Sequence, residues 1–315
     1  MKKISFAIPC YNEENNINEA YSRIKYLFDH QLQNYLYEIL FIDNNSMDNT
    51  KQLLTELAER DKNVKVIFNA KNFGWVRSSF HGLKNTTGDA TIYMPADMQD
   101  PPEIIPQFVE AWESGHKIVM GIKNKSRENS LIFFLRTLCY KLINFLVDDI
   151  DHVENFGLFG LYDRDFIKII KNLNEPQPYL KGIVAELGYK TKKIYFTQDK
   201  RSKGKSKFNF IRSYDIVMLG ITSYSKICLR IAILLGFFFS IICFIIAAHT
   251  FIRKLINWDA YSVGVAAIVI GVFFIGSLQL FFIGLIGEYI LSINKRLMNR
   301  PLVIEEKRIN FNENE

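Results

Sequence analysis

The stretch Pro95 to Glu103 reads PADMQDPPE and places a carboxylate at Asp97, an amide at Gln99 and a second carboxylate at Asp100 ahead of two prolines. A hard divalent cation such as Mg²⁺ takes oxygen ligands, few of them from protein when phosphates and water supply the rest. Asp97 and the amide oxygen of Gln99 are enough for such a site. Their i, i+2 spacing points both to one side if the segment is extended. Pro101 and Pro102 are expected to keep it extended, because residues before proline avoid the helical region. Pro95 stands two residues before Asp97, where a second acid would be expected.

Two other loops carry comparable groups, Asn12-Glu13-Glu14 and Asp43-Asn44-Asn45-Ser46. Acids in such loops suit a ribose, a base edge and a cation, so a nucleotide diphosphate is the natural ligand for the metal. Each loop follows an apolar run. The opening KISFAIPC reads as a buried strand, followed by a loop and an amphipathic helix. Glu38 to Ile42 begins the same plan again; VKVIFNA is a third strand, VRSSFHGLKNTTG a short helix ending at Gly88, and DATIYMPADMQDPPE a fourth strand with its loop. Strand–helix alternation with apolar strands predicts an α/β fold, a mostly parallel sheet covered on both faces. Ligands then bind beyond the carboxyl ends of the strands, where all three loops fall. For Glu13 and Asp43 simple loop capping is the alternative.

The chain has 315 residues and a formal net charge of +6. That balance suits phosphates or acidic headgroups. No Arg-rich helix or zinc-binding spacing points to nucleic acid. Cys10, Cys139, Cys228 and Cys243 form no C-x-x-C pair and read as free thiols in a reducing compartment. No signal peptide is read before the first strand.

Apolar residues concentrate after residue 228. Ile231–Ile252 and Tyr261–Ile286 each exceed the ~20 apolar residues that a membrane span needs. The connector, 253–260, is short, so the two spans (229–252 and 261–287) form a hairpin with both outer ends on one side. Lys226, Arg230, Lys295, Arg296 and Arg300 flank the hairpin, and the positive-inside rule places the N-terminal domain and the tail 288–315 in the cytoplasm. The expectation is a multi-pass protein of the inner membrane. Segments 131–147 and 208–228 read as interfacial helices, with a core helix as the alternative for each, a stronger one for the first. Gly276 to Gly287 suits close helix packing and a homo-oligomer.

IPCYNEENNI, FIDNNSMDNT, KNFGWVRSSFHGLKNTTGDA and ADMQDPPE together resemble successive motifs of family 2 glycosyltransferases with the GT-A (Rossmann-like) fold. With the hairpin, nearly the whole chain resembles bacterial polyprenyl-phosphate glycosyltransferases, relatives of dolichyl-phosphate mannose synthase. The resemblance implies a GT-A domain over 1–207. It puts Pro9, Tyr11 and Glu13 around the base and ribose of a nucleotide sugar, a UDP-sugar ahead of a GDP-sugar. Asp43 would accept a hydrogen bond from the base, and Asp97 with Gln99 would hold Mg²⁺ or Mn²⁺. RSKGKSKF resembles the family's R-x-x-G-x-S-K loop, which makes Arg201, Ser206 and Lys207 phosphate ligands, with Arg201 and Lys207 catalytic beside Asp97. Lys123 and Arg127 are weaker phosphate candidates, set against an exposed charged loop.

The departures are equally specific. Pro95 replaces the first acid of D-x-D. Asn44-Asn45 stand where Asp-Gly is common. Leu158 and Gly160, in FGLFGLYDRDF, fill positions often held by Asp and Arg. A lipid phosphate is already an anion and needs no base, whereas a sugar hydroxyl does. The expected activity is therefore inverting transfer of a sugar to a polyprenyl (undecaprenyl) phosphate, feeding envelope glycan or lipid modification. Transfer to a glycan hydroxyl and an inactive nucleotide-sugar-binding scaffold are the alternatives.

Overall fold

The computed structural model describes residues 1–125, 156–176, 178–198, 265–298 and 300–311, with isolated helical positions between 238 and 256. Arg127, Arg201, Ser206, Lys207, both segments expected to be interfacial and nearly all of the first expected span lie outside the described residues.

The amino-terminal half follows the alternation in the sequence. In order come β1 (Lys3–Cys10), α1 (Ile17–His30), β2 (Leu36–Asp43), α2 (Thr50–Arg60), β3 (Val64–Asn69), α3 (Trp75–Lys84) and β4 (Ala90–Tyr93). A short 3₁₀ turn at Pro102–Ile104 leads into α4 (Ile105–Glu113). The remaining elements are β5 (Ile118–Lys125), β6 (Phe156–Asp163), α5 (Arg164–Asn172), α6 (Leu180–Glu186), β7 (Thr191–Thr197), α7 (Val265–Leu297) and β8 (Glu305–Ile309).

The sheet has eight strands in the order β7-β5-β6-β4-β1-β2-β3-β8. Strands β1 to β4 run parallel to their neighbours among themselves, as do β5 and β7; β6, inserted between β5 and β4, and β8, at the edge beside β3, are antiparallel. Strand order reverses between β1 and β4, the switch point at which such sheets open a crevice. Both faces are covered. Ile17, Ala20, Ile24, Leu27 and Phe28 form one stripe of α1, which packs with α2 and α4 on one side. Phe80 of α3, Phe166 of α5 and Ile183 of α6 pack on the other. That double cover is why β1 to β4 read as continuous apolar runs rather than alternating ones.

The carboxyl-terminal segment is more than a tail. Helix α7 continues ten residues past Gly287 to Leu297, and the chain then returns to the sheet as β8 along β3. Among the described residues, no helix is long and apolar enough to cross a membrane. Many side chains of α7 lie outside that set. Its full sequence carries no Asp, Glu, Lys or Arg from Val265 to Gly287. Ile268, Ile283, Ile290 and Leu297 of this helix are exposed.

Candidate active site

The three polar loops meet at the carboxyl ends of β1, β2 and β4. The loops after β1 and β2 are laced together: Asn12 N donates to Ser46 Oγ (2.8 Å), Met47 N to Asn12 Oδ1 (2.8 Å) and Glu13 N to Thr50 Oγ1 (2.9 Å). Glu13 Oε2 also accepts from Asn16 Nδ2 at 2.5 Å. Capping is thus one of its roles. Pro9 and Tyr11 are half-buried at the end of β1.

Asp43 ends β2 and is fully buried. Its Oδ2 accepts from Ser46 N at 3.0 Å, while Oδ1 is buried and, among the described residues, accepts no hydrogen bond. Burial raises the Asp43 pKa, and the Ser46 hydrogen bond only partly offsets this. A buried carboxylate oxygen without a donor is costly, and such a group at a strand end is what an incoming N–H would satisfy. The neighbouring Cys10 thiol has its pKa pushed well up, first by burial and then by the Asp43 charge.

The Asn44-Asn45 departure has a local explanation. Asn44 Oδ1 accepts from Phe73 N (3.0 Å) and Asn69 Nδ2 (3.2 Å), while its Nδ2 donates to Asn72 Oδ1 (2.9 Å). One side chain must both give and take, which a carboxylate does not do. Asn45 has φ 62°, the left-handed conformation in which a glycine is usual and asparagine is tolerated.

The PADMQDPPE segment differs from expectation. It is a turn at Ala96–Asp97, with Met98 left-handed at φ 56°, and Pro102 opens the 3₁₀ turn instead of prolonging a strand. The alternation survives the turn: Asp97 and Gln99 are half-buried, and Ala96, Met98 and Asp100 are buried. Among the described residues the Asp97 carboxylate accepts one hydrogen bond, from Gln99 N at 3.3 Å. No three His, Cys, Asp or Glu side chains gather as a metal site among the described residues. One carboxylate and one amide oxygen are the donor set on offer. These hard oxygens fit Mg²⁺ or Mn²⁺ when phosphates and water complete the shell.

Asp100 was not among the expected site residues. It is buried, with Lys123 Nζ 3.3 Å from Oδ1 and Gln198 Nε2 donating to the same oxygen at 3.3 Å. Burial raises its pKa, Lys123 opposes and Asp97 adds. Lys123 is therefore paired and half-buried, not part of an exposed charged loop.

Backbone geometry marks the same region. Asn12, Asn45, Met98 and Leu158 are non-glycine residues with positive φ, and all lie at this end of the sheet; the fifth, Asn310, follows β8. Leu158, at φ 72° and buried, carries a strain of about 1–2 kcal/mol for an L-residue with a side chain. Outliers of this kind gather at functional sites. Tyr162 OH donates to Leu158 O at 2.8 Å and fixes that bend. Gly160 is explained by packing: a Cβ there would run into Val119 O of β5, so no arginine fits this backbone.

A glycosyl transferase family 2 model matches residues 5–170. The chain belongs to that family of glycosyltransferases. Over 306 residues it is 33% identical to the SfII prophage-derived bactoprenol glucosyl transferase of Shigella flexneri, covering 97% of this chain and 98% of that one. It is 33% identical over 303 residues to a prophage bactoprenol glucosyl transferase homolog of Escherichia coli K12, covering 96% and 98%. The uncharacterized glycosyltransferase YkcC of Bacillus subtilis is 32% identical over 305 residues, covering 96% and 93%.

Proposed function

We propose that this chain is a membrane-anchored inverting glycosyltransferase that moves a sugar from a nucleotide sugar to a polyprenyl phosphate. The observation that carries this reading is the end-to-end match to bactoprenol glucosyl transferases, through the carboxyl-terminal apolar runs as well as the sheet domain. The buried Leu158 agrees with it. A lipid phosphate attacks as an anion and asks for no base there, whereas a glycan hydroxyl would.

The donor binds across the switch point. Asp43 Oδ1 takes a base N–H of the nucleotide sugar, a UDP-sugar ahead of a GDP-sugar, and the laced Asn12–Thr50 loops with Tyr11 and Glu13 hold the ribose. Asp97 and Gln99 hold Mg²⁺ or Mn²⁺, which neutralises the leaving diphosphate when bound. Arg201, Ser206 and Lys207 grip phosphate. A phosphate oxygen of the acceptor forms a bond to the anomeric carbon as the bond to the nucleotide diphosphate breaks; the electron pair leaves with the diphosphate, and the configuration inverts.

The placement of β8 supports the membrane topology. β8 and the catalytic sheet lie on one side of any bilayer, so the chain between Gln198 and Val303 crosses it an even number of times. The runs 229–252 and 261–287 supply two crossings. Helix α7 spans about 50 Å at ~1.5 Å per residue, which suffices for a bilayer core with a projection into the cytoplasm. Its exposed apolar residues need lipid or another helix over them. Nothing among the described residues lies within 4 Å of a Cβ built on Gly276, Gly284 or Gly287, which suits a neighbouring copy.

The test is transfer of labelled sugar into an organic-extractable lipid. It uses the full chain in detergent, undecaprenyl phosphate, Mg²⁺ or Mn²⁺ and a panel of nucleotide sugars. A labelled lipid that requires metal and is lost in Asp97→Ala supports the reading. Intact donor binding without lipid product would move the chain to another acceptor or to a scaffold role.

A further inference from the structure

Strand order puts β6 between β5 and β4, yet Lys123 on β5 reaches Asp100 beyond β4. It does so by lying over Gly157 of β6. A Cβ on Gly157 would come 3.2 Å from Lys123 Cε and 3.3 Å from Nζ. Gln198, just past β7, closes on the same Asp100 oxygen from beyond β5. The ends of three separate strands are thus tied through one carboxylate, three residues along from Asp97.

A stability role explains this poorly. Taking a carboxylate and an ammonium out of water offsets most of what their attraction contributes, and apolar side chains would serve a core better. The position is also where the strain at Met98 and Leu158 gathers. Neutralising Asp100 with Lys123 leaves Asp97 as the acid of the PADMQD turn with no cation beside it among the described residues. An ammonium has three donors, and Asp100 engages one of them.

We propose that Asp100 is a positioning residue for phosphate recognition: its buried carboxylate holds the Lys123 ammonium across β6, over Gly157, to receive a phosphate oxygen of a substrate. The proposal rests on the nucleotide-sugar reading above. That oxygen belongs either to the donor diphosphate or to the lipid phosphate, and kinetics separate the two. A donor contact raises the KM for the nucleotide sugar and weakens UDP binding. An acceptor contact raises the KM for undecaprenyl phosphate and leaves UDP binding unchanged.

The experiment compares Asp100→Asn, Lys123→Met, their double variant and Gly157→Ala in the full chain in detergent. It measures kcat and KM for both substrates, binding of UDP and inorganic pyrophosphate, and Mn²⁺ affinity with UDP present. Each charge variant should lower kcat/KM about tenfold through the same substrate, with the double variant no worse than Lys123→Met alone. Gly157→Ala, with every charged group in place, should raise the same KM by a smaller factor. It keeps the proposal testable if Asp100→Asn fails to fold. Losses that multiply in the double variant overturn the proposal. So does a loss of Mn²⁺ affinity in Asp100→Asn that Lys123→Met does not share, since Asp100 would then be a metal ligand. If the wild type makes no lipid-linked sugar, the functional reading fails on its own. The positioning role is then read from UDP binding for a donor contact and from undecaprenyl phosphate or pyrophosphate binding for an acceptor contact, where the same non-additivity is expected; no change in any of the three overturns it.

Discussion

Asp43→Asn separates binding from stability at one atom. In the wild type, Asp43 Oδ2 accepts from Ser46 N, and Oδ1 is buried without a donor among the described residues. If a nucleobase N–H fills that gap, the variant loses a hydrogen bond to a charged acceptor, worth about 1.5–3 kcal/mol. UDP affinity should fall by roughly 10- to 150-fold on that basis. Stability should move the other way. Burial raises the folded-state pKa of Asp43 above its unfolded value. The folded state therefore binds the proton more tightly, and wild-type stability falls as pH rises from the unfolded carboxylate pKa through the raised folded one. An asparagine side chain does not titrate, so the variant should lack that fall and melt at or above the wild-type temperature at pH 7. Calorimetric titration with UDP and thermal melts from pH 4 to 8 measure both. Wild-type UDP affinity in the variant would refute the base contact. A lower melting temperature at pH 7 would refute the claim that the ionised carboxylate is a burden on the apo protein.

Asp97→Ala should abolish metal-dependent UDP binding and lower transfer by about 100-fold or more, because Asp100 is already engaged by Lys123 and cannot stand in; Mn²⁺ titration with UDP present measures it. Gly160→Ala should destabilise the domain by about 1–3 kcal/mol, since β6 must move off Val119 O of β5; urea unfolding reports the change. Glu305→Gln should loosen β8. Burial works against the Glu305 charge, but hydrogen bonds from His81 and Arg308 prevail and hold its pKa at about 2. A lowered carboxylate pKa gives stability that is present above the unfolded value and lost as pH falls towards 2. Wild type and variant should therefore differ at pH 7 and converge in acid. The difference should be no more than about 1 kcal/mol, because the cluster is partly exposed and solvent-screened; proteolysis of the carboxyl-terminal segment across pH is the assay.

The first four strands were legible because burial on both faces writes them as unbroken apolar runs. Ile39 to Ile42 and Val64 to Phe68 need no alternation to be recognised, and polar loops at their ends mark the site. β8 was not legible. Its sequence, EEKRI, is charged at every position but the last and pairs on one edge only, so neither hydrophobic period nor turn chemistry reveals it. What stabilises it comes from residues more than two hundred positions away, including His81 and Arg77, whose guanidinium donates to Pro301 O at 2.7 Å.

Within the site, residue types were readable and backbone shape was not. Asp43, Asp97 and Gln99 offer acceptor oxygens by identity alone. The turn at Met98, the bend at Leu158 and the αL conformation of Asn45 are conformations that a non-glycine residue adopts only when its surroundings impose them. The two departures at Asn45 and Gly160 show this from opposite sides. Asparagine keeps a glycine conformation where the loop demands one, and glycine replaces a long side chain where β5 leaves no room. Both are set by the local backbone of this chain, the left-handed turn at Asn45 and the close approach of β5 at Gly160. Lys123 carries the same lesson in three dimensions: its partner lies two strands away, and it reaches it close over Gly157, a glycine that is invisible as a signal in FGLFG.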